Sequence, residues 1–152
     1  MIKINVFSEE RAWSKRLKKK EIFFKKICKS FPKKYKFHKK NISISLMLSN
    51  NKNIKRLNKN FRSKNKSTDI LSFPIDKKNK YNQSYLGDII ISYNYMDKPK
   101  SKNLRAFKQK VAKTFIHGFL HLLGYDHIKN YDYKKMIKEE EKLFKAVISK
   151  IN

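Results

Sequence analysis

The segment HGFLHLLGYDH, residues 117 to 127, places three of the four histidines of the chain within eleven residues. His117 and His121 are four residues apart, so on a helix their rings lie one turn apart on the same face. Gly124 suits the left-handed position at which helices commonly end, and a turn there can bring His127 to the same point. The segment therefore predicts a metal site built on one helix and on the turn that follows it.

Three neutral imidazoles leave the fourth position of a tetrahedral zinc ion open for water, which is typical of a catalytic rather than a structural site. The neighbours of the histidines are apolar, so the helix should be buried: Phe115, Ile116, Phe119, Leu120, Leu122 and Leu123. Buried imidazoles need partners. We therefore predict one Zn²⁺ ion held by His117, His121 and His127, with a hydrogen-bonded core histidine cluster as the alternative.

The spacing is similar to the H-E-x-x-H pattern of zinc peptidases, in which a glutamate directly after the first histidine is the general base. Gly118 stands in that place. The segment therefore favours metal-assisted hydrolysis but disfavours peptide cleavage.

The charge of the chain indicates an acidic polymer as its partner. Its 39 lysines and arginines against 12 acidic residues give a formal net charge of +27. Phosphate neutralisation by such residues drives nucleic-acid binding, so RNA or DNA is the expected partner and an anionic membrane surface is the weaker alternative. The segment KKYKFHKK, Lys33 to Lys40, can stack or clamp nucleic acid, or form a solvated loop; we assign its His38 no metal role.

The length and the absence of targeting signals predict one cytoplasmic domain over residues 1–152. The opening MIKINVFSEE lacks the apolar core of a signal peptide, and no apolar run has the eighteen or so residues of a membrane helix. Cys28 is the single cysteine, which fits a reducing compartment.

Hydrophobic periodicity predicts an α+β fold with a mixed sheet of about four strands packed by about four to five helices. The predicted strands are 2–7, 42–48, 70–73 and 85–92, the last two forming a hairpin pair. The predicted helices are 9–30, a short one after Asn50 or Asn51 that carries Ile54, Leu57 and Phe61, a long one from Asn103 or Leu104 into the histidines, and 131–148. The metal site lies on that long helix and its turn.

Three motifs together resemble the YbeY family of bacterial metal-dependent endoribonucleases. HGFLHLLGYDH resembles the family signature, FRSKNKSTDILSFP (61–74) its second block and YLGDIIIS (85–92) its third, in the same order and across most of the chain. The resemblance implies that His117, His121 and His127 are zinc ligands and that Arg62 acts in the active site. Asn65 and Ser67 depart from the family pattern.

The resemblance also implies a function: zinc-dependent, single-strand-specific cleavage in maturation of the 16S rRNA 3′ end and in ribosome quality control. It implies single-stranded rRNA and the small ribosomal subunit as partners, together with a ribosomal protein or GTPase. The expected catalytic residues are Arg62, His117 and His121. Arg62 is included because an arginine fork stabilises the negative charge of phosphodiester cleavage, with a structural salt bridge as the alternative role. The nucleophile, water on the metal or the RNA 2′-hydroxyl, is left open.

The alternative function is a non-catalytic, zinc-containing ribosome assembly factor that binds rRNA. Three aspartates are further candidates as bases or as residues that orient a histidine, each with a turn or strand-end role as the alternative: Asp69, Asp88 and Asp126. Thr68 and Ser72 are candidate hydrogen-bond donors to phosphate.

Overall fold

The computed structural model describes residues 1–35, 41–75, 84–100 and 103–152. In these ranges the elements are, in chain order, β1 (Ile2–Ser8), α1 (Ala12–Arg16), α2 (Lys20–Lys29), a 3₁₀ turn (Lys33–Tyr35), β2 (Ile42–Ser49), α3 (Asn51–Arg62), β3 (Ile70–Pro74), β4 (Tyr85–Ser92), α4 (Tyr93–Met96), α5 (Leu104–Leu122) and α6 (Asn130–Ile151).

The four strands form one mixed sheet in the order β1-β2-β4-β3. β1 pairs with β2 and β2 with β4 in parallel, whereas β3 pairs with β4 antiparallel. Parallel neighbours need a crossover connection, which α1 and α2 supply between β1 and β2. The predicted α+β fold with a mixed sheet is confirmed, including the adjacent pairing of the last two strands.

The two faces of the sheet are covered unequally. On one face Ile44, Leu46 and Ile89 belong to the main core, which they share with residues of α2, α5 and α6 such as Phe24 and Phe119. The other face carries a small second cluster, in which Ile54 of α3 meets Leu71 and Ile90. The histidine helix α5 therefore packs on one side of the sheet and α3 on the other, with the edge strand β3 between them.

The predicted single helix over 9–30 is wrong, because the backbone leaves the helical conformation between Leu17 (φ −123°, ψ 85°) and Lys19 (φ −118°, ψ 68°). In a continuous helix Lys15 and Lys19 would form a like-charged pair one turn apart, which is destabilising. Trp13, in the first of the two helices, donates its indole N–H to the carbonyl of Ser49 at 2.9 Å, at the end of β2. Neither glycine nor proline marks the break.

Other element boundaries lie close to the predicted ones. The side chain of Asn50 accepts a hydrogen bond from the N–H of Asn53 at 2.9 Å and so caps α3, while Asn103 caps α5 in the same way. The last helix is longer than predicted at both ends, and the one-turn helix α4 was not predicted. Of the segment Lys33–Lys40 the structure describes 33–35, where Tyr35 is buried; His38 lies outside the described residues, as does the loop 76–83.

Candidate metal site

The turn after α5 is closed by a glycine, as the sequence predicts. Gly124 has a φ of 98°, a backbone conformation that residues other than glycine rarely adopt. The N–H of Gly124 donates to the carbonyl of His121, and the N–H of Tyr125 to that of Leu120, both at 3.0 Å. These two bonds end the helix in a Schellman motif and return the chain toward its last turn, so that His127 comes back to the other two histidines.

The three histidines do converge. One ligand nitrogen from each of His117, His121 and His127 lies within 4.8 Å of the others, and the Nε2 atoms of His117 and His121 are 3.0 Å apart. The ring of His127 lies 5.6 Å from that of His117 and 5.0 Å from that of His121, centroid to centroid. The predicted cluster is therefore present, with His127 exposed and the other two half-buried.

Hydrogen bonds fix the tautomers of the two helical histidines. The Nδ1–H of His121 donates to the carbonyl of Tyr125 at 2.9 Å, and that of His117 to the carboxylate of Glu140. Each Nε2 is then an acceptor with a free lone pair, and the two lone pairs face each other. Such an arrangement is repulsive by itself and becomes favourable when a cation accepts both.

The electrostatics of the site keep His121 neutral. Burial lowers the pKa of His121 below its ordinary value, and the neighbouring His117 lowers it further, while the carbonyl of Tyr125 partly opposes this. Neutral imidazoles are the form that binds metal. Tetrahedral zinc with Zn–N bonds of about 2.0–2.1 Å needs nitrogens about 3.4 Å apart, so the donor set and its spacing fit one divalent ion after small side-chain adjustments.

Gly118, which stands where a zinc peptidase has glutamate, lies at the contact between α5 and the sheet. A Cβ added there would lie 2.6 Å from Cδ1 of Ile70, 2.9 Å from Oγ of Ser72 and 3.3 Å from Cγ2 of Ile89. A side chain at position 118 would therefore point into the packed contact between α5 and the sheet. Packing of α5 on the sheet thus excludes the peptidase base at this position.

Arg62 ends α3 and reaches the edge strand. Its Nη2 donates to the backbone carbonyl of Ser72 at 3.0 Å, and its guanidinium carbon lies 5.7 Å from the ring centroid of Phe73. The hydroxyl of Ser72 in turn donates to the carbonyl of Gly118 at 3.2 Å, next to His117. Two hydrogen bonds through Ser72 thus connect Arg62 to the histidine helix.

The aspartates form the local contacts of turn and strand-end residues. Asp126 accepts a bond from the N–H of His127 at 2.7 Å, Asp69 from the N–H of Ile70 at 2.8 Å and Asp88 from the hydroxyl of Tyr85. The side chain that meets His117 is instead Glu140. Thr68 donates to Asp69 at 3.2 Å.

Glu140 and its neighbour Glu139 were missed by the sequence analysis, which used only the apolar side of the last helix. Glu139 is buried, with 7% of its surface exposed. It accepts hydrogen bonds from Tyr35 and, at 3.2 Å, from Lys142, and Tyr35 also meets the hydroxyl of Tyr125 at 3.3 Å. A run of three glutamates in a chain with 12 acidic residues was the signal that could have revealed them.

The two buried partners shift each other's pKa in opposite directions. Burial alone would raise the pKa of Glu139, but the hydrogen bonds from Tyr35 and Lys142 outweigh it and the pKa lies below its ordinary value. Burial and the bond to Glu139 raise the pKa of Tyr35. Glu139 is therefore ionised at neutral pH and links α6, the 3₁₀ turn and the loop that carries the carbonyl partner of His121.

The chain is similar to known proteins of one family along most of its length. The family model described as Endoribonuclease YbeY matches residues 5–148. A protein named Endoribonuclease YbeY from Pelagibacter ubique is 60% identical over 152 residues, which is 99% of either chain. One of the same name from a Sulfurihydrogenibium species is 38% identical over 132 residues, covering 82% of this chain and 87% of the relative.

A solved structure shows the same fold. The solution structure of a Thermotoga maritima protein matches 97% of this chain and 90% of its own at a TM-score of 0.60, with 24% sequence identity. In the part of the chain that the structure describes, the helices are too short or too polar to cross a membrane.

Proposed function

Because the chain belongs to the YbeY endoribonuclease family, we propose that it is a zinc-dependent endoribonuclease that cuts single-stranded RNA. The observation that carries the proposal is the pair of facing Nε2 lone pairs of His117 and His121, completed by His127. A divalent metal bound there supplies Lewis acidity and lowers the pKa of coordinated water to about 7. The carboxylate of Glu140 and the carbonyl of Tyr125 hold the two rings in the ligating tautomer.

Arg62 is the proposed cation for the reacting phosphate. One of its five N–H donors is used on Ser72, and its position at the exposed end of α3 leaves donors for an anion. Negative charge gathers on the phosphate oxygens in the transition state, and a fixed guanidinium stabilises it there. The bond to Ser72 fixes the guanidinium to β3, the strand on which the histidine helix packs.

The proposed substrate is ribosomal RNA. The net charge of +27 supports a polyanionic substrate, and membership of the family supports RNA cleavage. We propose that the protein acts in the cytoplasm on single-stranded rRNA of the small ribosomal subunit, in maturation of the 16S 3′ end and in ribosome quality control, with a ribosomal protein or GTPase as partner. Peptide cleavage is disfavoured because the packing at Gly118 excludes the glutamate base.

The test is cleavage of a labelled single-stranded RNA that carries the 16S 3′-end sequence. We expect the wild type to cut it, EDTA to abolish cleavage and added Zn²⁺ to restore it. His121→Ala, purified in parallel, controls for contaminating ribonuclease and should be inactive. Wild-type binding without cleavage, in the presence of zinc and of small subunits, would favour the non-catalytic assembly factor instead.

Arg62→Lys separates charge from geometry. It keeps the positive charge but loses the planar fork of donors, so we expect kcat to fall by about 10²- to 10³-fold, as for loss of one transition-state donor, with little change in zinc affinity. Arg56→Lys, the same change at an exposed arginine earlier in the same helix, is the control and should keep wild-type activity.

A further inference from the structure

An exposed aromatic ring lies beside Arg62 at the end of α3. Phe61 has 69% of its surface exposed, although phenylalanine is normally buried. Its ring contacts that of Phe73, with centroids 5.5 Å apart and planes at 59°, and the guanidinium of Arg62 approaches the same Phe73 ring. We propose that Phe61 is a stacking subsite for a nucleobase of the single-stranded RNA whose phosphate Arg62 binds, an inference that rests on the proposed function.

Phe61 and Phe73 have different roles in this pair. Phe73 is half-buried and packs against the small cluster of Ile54, Leu71 and Ile90 beneath α3, so it is explained by the fold. Phe61 adds little to that core, because most of its ring remains in water. A rigid aromatic surface that is anchored on one side and free on the other can take a base by stacking, whatever the identity of the base.

The charge around Phe61 selects nucleic acid over an apolar protein partner. The exposed cations nearest in sequence are Lys59, Arg62, Lys64 and Lys66, and the loop 63–68 that contains two of them is held to α3 by the bond from the Asn58 amide to the Lys66 carbonyl, at 2.9 Å. A surface that alternates an exposed ring with cations offers stacking and phosphate contacts together. A base inside a duplex cannot stack on it, so the subsite requires a single strand.

Two hydrogen bonds connect the subsite to the histidine helix. Arg62 binds the carbonyl of Ser72 on the edge strand, and the hydroxyl of the same serine binds Gly118, next to His117. An RNA strand with one base on Phe61 and a phosphate on Arg62 would therefore run beside the edge strand β3, two hydrogen bonds away from the helix that carries His117 and His121. Phe61 would thus fix the register of the strand relative to the metal.

The experiment measures binding of a short single-stranded RNA that contains 2-aminopurine, whose fluorescence is quenched by stacking, with EDTA present to prevent cleavage. Phe61→Leu keeps an apolar side chain but removes the aromatic face, and we expect affinity to fall roughly 5- to 100-fold with loss of the protein-induced quench. Phe61→Trp should retain both the affinity and the protein-induced quench, because tryptophan keeps an aromatic face. Because leucine removes no charge, the salt dependence of binding should stay unchanged.

Phe7→Leu is the matched control. Phe7 is also an exposed phenylalanine, at 54%, but lies on β1, the opposite edge strand of the sheet. We expect the RNA affinity of Phe7→Leu to stay within twofold of that of the wild type. The subsite is wrong if Phe61→Leu also binds within twofold of the wild type, if both leucine variants weaken binding equally, or if the unsubstituted protein does not bind the probe.

Cleavage is measured separately on the same preparations, with Zn²⁺ in place of EDTA. Wild type that binds and stacks the probe but never cuts RNA would contradict the proposed function and leave the subsite standing. Cleavage by the wild type, together with equal RNA affinity in wild type and Phe61→Leu, would support the proposed function and contradict the subsite. Circular dichroism of each variant checks the fold.

Discussion

His117 and His121 are held by hydrogen bonds of different kinds. The Nδ1–H of His121 meets a neutral carbonyl of its own turn, whereas that of His117 meets a carboxylate from another helix. A carboxylate partner raises the basicity of an imidazole ligand and fixes its orientation. We therefore expect Glu140 to affect metal affinity without touching the metal.

The expected effect of Glu140→Ala is a 10- to 100-fold loss of zinc affinity, roughly the usual cost of removing such a partner. Competition with a chromophoric chelator measures it on apo protein, independently of cleavage. Glu140→Gln can still accept the N–H through its amide oxygen, so its loss should be smaller. Glu141→Ala removes the same charge from an exposed neighbour and should bind zinc normally. Equal affinity in all four proteins would contradict the role of Glu140.

Gly118→Glu restores the peptidase pattern in sequence but not, we expect, in function. Its carboxylate would enter the contact with Ile70, Ser72 and Ile89, and an unpaired buried charge costs about 3 kcal/mol or more. Urea unfolding should show this loss, and casein digestion should remain absent. Gln109→Glu, earlier in α5, makes the same charge change as a control. Wild-type stability together with casein cleavage would show that the position faces the metal.

At the scale of elements, α6 supplies more to the site than its apolar stripe suggests. Met136, Leu143 and Val147 bury one side in the core. Glu139 and Glu140 lie on the same helix and reach the 3₁₀ turn and the histidine helix, respectively. The helix thus joins the core to the histidine cluster.

Prediction from sequence succeeded where the signal is local. The periodicity of β2 and α5, the starts of α3 near Asn50 and of α5 near Asn103, and the glycine stop at Gly124 are contained in a few consecutive residues, and the structure confirms them. Convergence of the three histidines was also predictable, since one helix and one turn carry them all.

The missed features depend on long-range contacts. Glu140 meets His117 across 23 residues and Trp13 meets Ser49 across 36, so neither contact leaves a periodic pattern. The break at Leu17 has no glycine or proline to mark it. Fold class was therefore predictable from local pattern, whereas the residues that orient the site became visible only in three dimensions.

Glu139→Gln tests how α6 is attached to the 3₁₀ turn. The lowered pKa of Glu139 means that its carboxylate stabilises the fold fully above its unfolded pKa of about 4.3, and that this contribution is lost as pH falls through the lower folded value. We expect the variant to be less stable by about 1–3 kcal/mol at pH 7, with the difference from wild type shrinking below pH 4.

Urea unfolding at pH 7, 5, 3 and 2 provides the measurement for Glu139→Gln, with Glu141→Gln as the exposed control. A stability difference that stays constant across these pH values, or that grows toward acid, would contradict the ionised state assigned to Glu139.

At the scale of the whole molecule, the chain carries far more positive charge than a single phosphate contact needs. A net charge of +27 indicates many phosphate contacts, of which the proposed contact of Arg62 is only one. Under the proposed function the metal site supplies reactivity while the wider basic surface supplies most of the affinity, so we expect binding and cleavage to be separable.

His121→Ala should consequently bind single-stranded RNA within about threefold of the wild type while failing to cut it. For both proteins log Kd should rise linearly with log salt concentration, since each phosphate contact releases counterions with a slope near 0.7 per contact on a single strand. Anisotropy titrations from 50 to 300 mM KCl measure this, and Arg62→Ala should lower the slope by about one contact. An affinity that does not change with salt would mean that stacking and shape, rather than the lysine-rich surface, hold the RNA.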